Sequence, residues 1–199
     1  VNSYTTADQL KPDVAVDGTG AFVVVWESEG SAGTDASSKS IQAQRYDSSG
    51  AAAGPEFQVN TYTTFAQFQP SVAAGSSGDF VVTWTSNGSD GTDSDIFSVQ
   101  GQRFDSAGSP VGTEFQINTY TTNVQWQSSV AARPDGDFAV AWVSAGSAGT
   151  DPDDSIQGQR FTNASTTTTT NPTTTTTTTT NPTTTTPSPT TTTTTTTTT

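Results

Sequence analysis

An all-β body of three four-stranded antiparallel repeats, followed by an extended tail that cannot fold, is the architecture this sequence predicts. Three observations carry it. A fixed offset of 58 residues superposes Trp26 on Trp84 and Trp84 on Trp142, and an internal period of that size signals a repeat fold. Within each copy apolar side chains alternate with period two, the period of a strand, and helical periodicity is absent. Composition breaks at about residue 165: of the 34 residues from 166 to 199, 27 are Thr and the rest are Asn, Pro and Ser.

The copies run over about 1–58, 59–116 and 117–162. The offset also aligns PDVAV (12–16) with PSVAA (70–74), FVVVWES (22–28) with FVVTWTS (80–86) and FAVAWVS (138–144), and SIQAQRYD (40–47) with SVQGQRFD (98–105). The third copy loses one residue in a loop before SIQGQRFT (155–162). Each copy therefore reads as strands A (the S-V-A region), B (F-V-V-x-W), C (I-Q-x-Q-R-aromatic) and D (E-F-Q-hydrophobic-N). Turns DGTG (17–20), GSSGD (75–79) and PDGD (134–137) join A to B, and DSSG (47–50) and DSAG (105–108) join C to D; all supply the left-handed residues that hairpins need. A longer S-x-G-S-x-G-T-D loop joins B to C.

Strand B places Phe22, Val24 and Trp26 on one face and Val23 and Val25 on the other, a pattern that recurs around Trp84 and Trp142. A strand apolar on both faces lies between two layers, so each sheet is expected to pack on its neighbours. The repeat also resembles a known family of tandem FQVNTYTT…FVVxW…QRFD units in large secreted and surface proteins of aquatic bacteria, over residues 1–162. That resemblance implies propeller-like blades and an extracellular location, and it supplies no activity; the three copies of this chain, read as three-fold pseudosymmetric, fall below the four to eight blades usual in a propeller.

The third copy stops after strand C, while the chain begins with an isolated strand D, Val1, Asn2, Ser3, Tyr4 and Thr5. This displaced strand is expected to complete a third sheet, either its own, closing a three-fold ring, or that of a neighbouring copy, generating a head-to-tail homopolymer. Val1 follows no basic-then-apolar leader, which reads as a chain processed or cut from something longer.

Composition limits the chemistry. With no Cys and no His, disulfides, thiolates and Ser-His-Asp triads are excluded. A net charge of −13 disfavours nucleic acid as a partner, and no apolar run reaches the roughly 18 residues of a membrane helix. Glu56 and Glu114 share one repeat position, as structural residues do, so the sequence reading is of a protein that is not an enzyme. Arg45, Arg103 and Arg160 are expected to pair, in a structural role, with a recurring carboxylate such as Glu56 or Glu114. Gln42, Gln44, Gln58 and Asn60 are expected to hydrogen-bond between strands, with sugar binding as the alternative. Phe65, Phe68 and Trp126 are either core or an exposed contact patch.

No cofactor is required, but Asp90, Asp93 and Asp95, with Asp151, Asp153 and Asp154 in the third copy, form Gly-containing acidic loops of the kind that suit Ca²⁺. Asn87 and Asn163 open N-glycosylation triplets. Poly-threonine interrupted by Asn171-Pro172, Asn181-Pro182 and Pro187-Ser188-Pro189 is the composition of an O-glycosylated, mucin-like stalk. The expected sites include Thr166, Thr167, Thr168, Thr169, Thr170, Thr173, Thr174, Thr175, Thr176, Thr183, Thr184, Thr190 and Thr191. The leading functional reading is a structural subunit of a secreted, glycosylated filament or surface array; the alternative is an adhesin or lectin-like head on a stalk.

Overall fold

The structure, a computed structural model, describes residues 1–30, 35, 38–89, 91–93, 95–146 and 153–162. The threonine tail, with the expected sites from Thr166 to Thr191, lies outside the described residues, as do Asn163, Asp90 and Asp151.

Every regular element among the described residues is a strand. The first sheet is built from β1 (Gln9–Val16), β2 (Phe22–Glu29), β3 (Lys39–Tyr46) and β4 (Phe57–Gln58), in that spatial order. The second repeats it with β5 (Gln67–Ala74), β6 (Phe80–Asn87), β7 (Phe97–Phe104) and β8 (Pro110–Gln116). The third has β9 (Gln125–Ala132), β10 (Phe138–Ala145) and β11 (Asp154–Phe161), with β10 in the middle. Neighbouring strands are antiparallel throughout, and registers repeat: Trp26 faces Gln42, Trp84 faces Gln100 and Trp142 faces Gln157. The expected meander of blade-like sheets is thus present.

Packing follows from the two-sided strand B. The large face of the second sheet (Phe80, Val82, Trp84) meets the small face of the first (Val23, Val25, Ile41, Ala43) in one buried cluster. Phe138, Val140 and Trp142 repeat the contact against Val81 and Val99 in a second cluster. Trp26, Trp84 and Trp142 are all buried. The second sheet therefore sits between the other two, and β5 packs against both β1 and β9.

Each first strand is interrupted by a bulge: register slips between Leu10 and Asp13, between Phe68 and Ser71, and between Trp126 and Ser129. Lys11 (φ 51°), Gln69 (φ 55°) and Gln127 (φ 55°) occupy this bulge in left-handed conformation. That conformation is unfavourable for a residue with a Cβ, and it is offset by a bond to the preceding sheet. The Gln69 amide donates to Glu27 Oε2 at 3.1 Å and the Gln127 amide to Thr85 Oγ1 at 3.2 Å.

One expectation is corrected. Val1–Thr5 is not a strand and does not return to β11, so the three-fold ring is not closed within the chain. Ser3 donates through its amide (2.6 Å) and hydroxyl (2.7 Å) to Glu56 Oε2, which ties the segment to the first sheet. The physical reason is that this segment is the counterpart of the connector at Thr61, whose amide and hydroxyl donate to Glu114 Oε2 at 2.7 and 2.8 Å. It follows the repeat it precedes.

Trp84 is fully enclosed between two sheets. Replacing it by Ala is expected to cost about 3–5 kcal/mol through the cavity left behind; urea unfolding of the two proteins checks this, and a loss below about 1 kcal/mol would contradict the packing described.

Candidate functional site

The polar centre of each boundary between sheets is one asparagine. Asn60 leaves the end of the first sheet and reaches four elements at once. Its Oδ1 accepts the Ile41 amide at 2.8 Å, while Nδ2 is shared among Asp35 Oδ2 (3.0 Å), the Tyr62 carbonyl (2.9 Å) and Gln67 Oε1 (3.2 Å) of the next sheet. Asn118 repeats this with the Val99 amide (2.8 Å), Asp93 Oδ2 (2.7 Å), the Tyr120 carbonyl (3.0 Å) and Gln125 Oε1 (3.2 Å). Asn60, Asn118, Asp35, Asp93, Gln67 and Gln125 are all buried. Buried polar groups must be paired, and here they pair with each other across the boundary.

Asp93 and Asp95, expected among the calcium ligands, both have partners within the chain. The oxygens at Asp93 converge on the Asn118 amide nitrogen. Asp95 turns away, its Oδ2 accepting the Asn123 amide at 3.0 Å. Asp154 opens β11 and is exposed, and Asp153 offers its carbonyl to the Gly146 amide at 3.0 Å. No three acidic side chains among the described residues are grouped to hold a metal.

The arginine expectation holds at Arg160, whose partner is a carboxylate, and is corrected at Arg45. Glu56 and Glu114 hold connector amides instead, and Arg45 reaches into the second sheet, donating to the carbonyls of Ser106 and Ala107. Arg160 forms an ion pair with Asp137 at 2.6 Å. The glutamines bond locally for the most part: Gln42 Nε2 donates to Ser40 Oγ at 2.8 Å and Gln58 Nε2 to the Asn60 carbonyl at 2.8 Å, each two residues away, while Gln44 Nε2 donates to the neighbouring Arg45 carbonyl at 2.8 Å and to the Gly54 carbonyl at 3.0 Å. Of the connector aromatics, Phe68 packs edge-on against Phe97 with ring centres 5.2 Å apart, Trp126 is half-buried, and Phe65 is exposed at φ 62°. Asn87 ends β6 and is half-buried.

Two ends of the array stay open, and here repeat-equivalent residues differ most. Val59 and Ile117 are 2% and 1% exposed, whereas Val1, at the same repeat position, is 71% exposed. Ile41 and Val99 are fully buried, whereas their counterpart Ile156 on the free edge of β11 is 74% exposed. Inside the molecule these positions touch: the Val59 amide donates to the Ile41 carbonyl and the Ile117 amide to the Val99 carbonyl, both at 2.8 Å. Leu10, Val14 and Val16 extend the exposed apolar face of the first sheet. Sequence reasoning matched the leading segment with strand C of a third repeat, which contains Ile156; the structure adds that Val1 and Ile156 are both exposed. The signal for that match was available in the 58-residue register, which aligns Val1 with Val59 and, with the one-residue deletion, Ile156 with Ile41.

The fold and these boundaries define an array of β-propeller-like blades. A solved structure described as Hadza microbial sialidase Hz136 matches over 78% of this chain and 35% of its own, with 13% identity and a TM-score of 0.54. An endo-arabinase from Bacteroides thetaiotaomicron VPI-5482 matches at 14% identity, covering 74% of this chain and 55% of its own, TM-score 0.46. An α-L-arabinofuranosidase from Lactobacillus brevis matches at 14% identity, 81% and 55% coverage, TM-score 0.49. The chain thus spans about a third of the first and just over half of the other two. No family model matches the chain, and no curated protein matches it.

The sequence-based exclusion of an enzyme is corrected by the first of these matches, because a glycoside hydrolase carries the same blade arrangement. The exclusion rested on Glu56 and Glu114. These are indeed structural, but that says nothing about residues elsewhere on the blades, where a fold of this kind carries its sites.

Burial pushes the Asp93 carboxyl above its ordinary 3.8, with the nearby Asp95 charge acting in the same direction and the Asn118 hydrogen bond against it. A raised folded-state pKa contributes stability below the unfolded value, and that contribution is lost as pH rises through the folded value. Wild-type stability relative to Asp93→Asn is therefore expected to increase as pH falls from about 7 towards 4. Unfolding both proteins across that range checks it, and a flat difference would contradict it.

Proposed function

We propose that this chain is a structural subunit of a secreted, glycosylated extracellular filament or surface array in which copies join head to tail by blade stacking. One observation carries the reading: Val1 and Ile156 are the exposed members of two repeat positions that are otherwise buried against each other. The first sheet of one copy, bringing its own leading segment, meets the third sheet of the next as its second sheet meets its first. The Ile156 amide and carbonyl then bond to Asn2 and Val1, as Ile41 bonds to Asn60 and Val59. The leading segment is already held in place on its own blade by Glu56, which lowers the ordering cost of association.

The resemblance to secreted repeats of aquatic bacteria supports the extracellular setting, and the threonine tail supports glycosylation. An uncharged, β-prone threonine run needs sugars to stay apart from its like. At ~3.1 Å per residue its 34 residues reach about 105 Å, far enough to pass a neighbouring subunit.

A second reading is a carbohydrate-handling head on a mucin-like stalk, either an adhesin or a hydrolase of the kind its sialidase fold neighbour is named for. Phe65 favours it, a large aromatic left exposed at the connector position that Ala7 and Asn123 fill in the other copies, since exposed aromatics serve as contact points for ligands.

Ile156→Asp alters a residue that the chain leaves exposed, so it is expected to fold normally and to lose self-association in sedimentation velocity and electron micrographs. A wild-type protein that stays monomeric at every concentration, or a glycan array with tight binding by that monomer, would favour the second reading. For the tail, intact mass is expected to exceed the 20.5 kDa polypeptide by several kilodaltons through hexoses on many of the 27 threonine hydroxyls; a bare-polypeptide mass would contradict glycosylation.

A further inference from the structure

The internal boundary contains one contact that the open end of the third sheet holds ready. Arg45, Arg103 and Arg160 sit at one repeat position, opposite Val23, Val81 and Ala139. From the first sheet, the Arg45 guanidinium crosses to the hairpin turn of the second and donates to the Ser106 and Ala107 carbonyls. A planar guanidinium facing two adjacent carbonyls makes a directional, two-point contact. Arg160 stands on the open face of the third sheet, its side chain 60% exposed, and is held by Asp137 from its own blade. Arg45 has no such competitor, because Ala21 occupies that place in the first repeat.

The turn that Arg160 would reach is present on the first sheet. Asp47–Gly50 has the build of Asp105–Gly108: Asp47 Oδ1 accepts the Ser49 and Ala51 amides at 2.9 and 3.0 Å, as Asp105 Oδ1 accepts the Ala107 and Ser109 amides at 2.9 and 2.8 Å. Ser48 and Ser49 are exposed, and their carbonyls accept no hydrogen bond among the described residues.

We propose that Arg160 is a specificity clamp that changes partner on assembly, leaving Asp137 for the Ser48 and Ser49 carbonyls of a second copy of this chain. The inference rests on the head-to-tail reading and names the residue that selects the partner's turn. Exchange is feasible because a solvent-exposed ion pair contributes little, and Asp137 is left at the surface, where water replaces the guanidinium. Asp137 thereby acts as a brake on association.

Sedimentation velocity of the full chain tests it. Arg160→Ala is expected to weaken self-association about tenfold or more, the scale of losing hydrogen bonds from a charged donor. Arg160→Lys, a point charge without the planar fork, is expected to fall between Arg160→Ala and wild type. Asp137→Asn is expected to strengthen association about threefold or more by releasing the arginine, a gain that Ile156→Asp should abolish, as it would not abolish aggregation of a misfolded chain, and the double variant is expected to behave as Arg160→Ala. If wild type associates and Ile156→Asp abolishes association while Arg160→Ala and Asp137→Asn both match wild type, the clamp is overturned and the assembly reading stands. If wild type does not associate at all, both fall.

Discussion

The buried amide of Asn60, repeated at Asn118, is the contact on which the array depends. One side chain closes the free edge of strand C, satisfies a buried aspartate, holds the connector carbonyl and engages a glutamine of the next sheet. No single apolar contact could couple four elements in this way, because dispersion has no direction. Hydrogen bonding inside a dry boundary has one, and the penalty for leaving any of these groups unpaired fixes the angle between successive sheets. The hydrophobic clusters supply the attraction between sheets; the asparagines set the register at which it acts.

This arrangement has a visible cost. In the first sheet Gln9 Oε1 accepts the Trp26 indole N–H at 3.1 Å. In the second and third, the equivalent Gln67 and Gln125 oxygens are taken by Asn60 and Asn118, and the buried indole nitrogens of Trp84 and Trp142 have no partner among the described residues. The boundary amide thus displaces a tryptophan bond that the terminal blade keeps. The same difference is expected of any first blade that a preceding one has not yet covered, which ties the hydrogen-bond pattern of the first sheet to its open face.

The boundary also separates what the fold says from what the loops say. Blades of this kind are shared with a sialidase across only 13% identity, so the shared property is how two-sided strands stack, and activity has to be sought in side chains at the blade ends. Glu56 and Glu114 illustrate the distinction. Their matched repeat positions correctly marked them as structural, but they hold connector amides, and removing them from consideration leaves the rest of the surface unexamined.

Much was legible from residues alone: the 58-residue period, the strand order, the buried tryptophans, the Gly-rich turns and the two-faced central strand. Burial patterns and turn chemistry are local, and local preferences recur faithfully in each copy. The partners of long polar side chains were not legible. Arg45 finds a turn in the next sheet instead of a glutamate in its own, Asp93 finds the Asn118 amide, and the leading segment follows the blade after it instead of the one that lacks a strand. Each outcome depends on where one rigid sheet sits against another, to within an ångström. Sequence determined which faces of each blade must be covered; tertiary structure decided what covers them, because hydrogen bonds form between whichever donors and acceptors the stacking angle brings to about 3 Å.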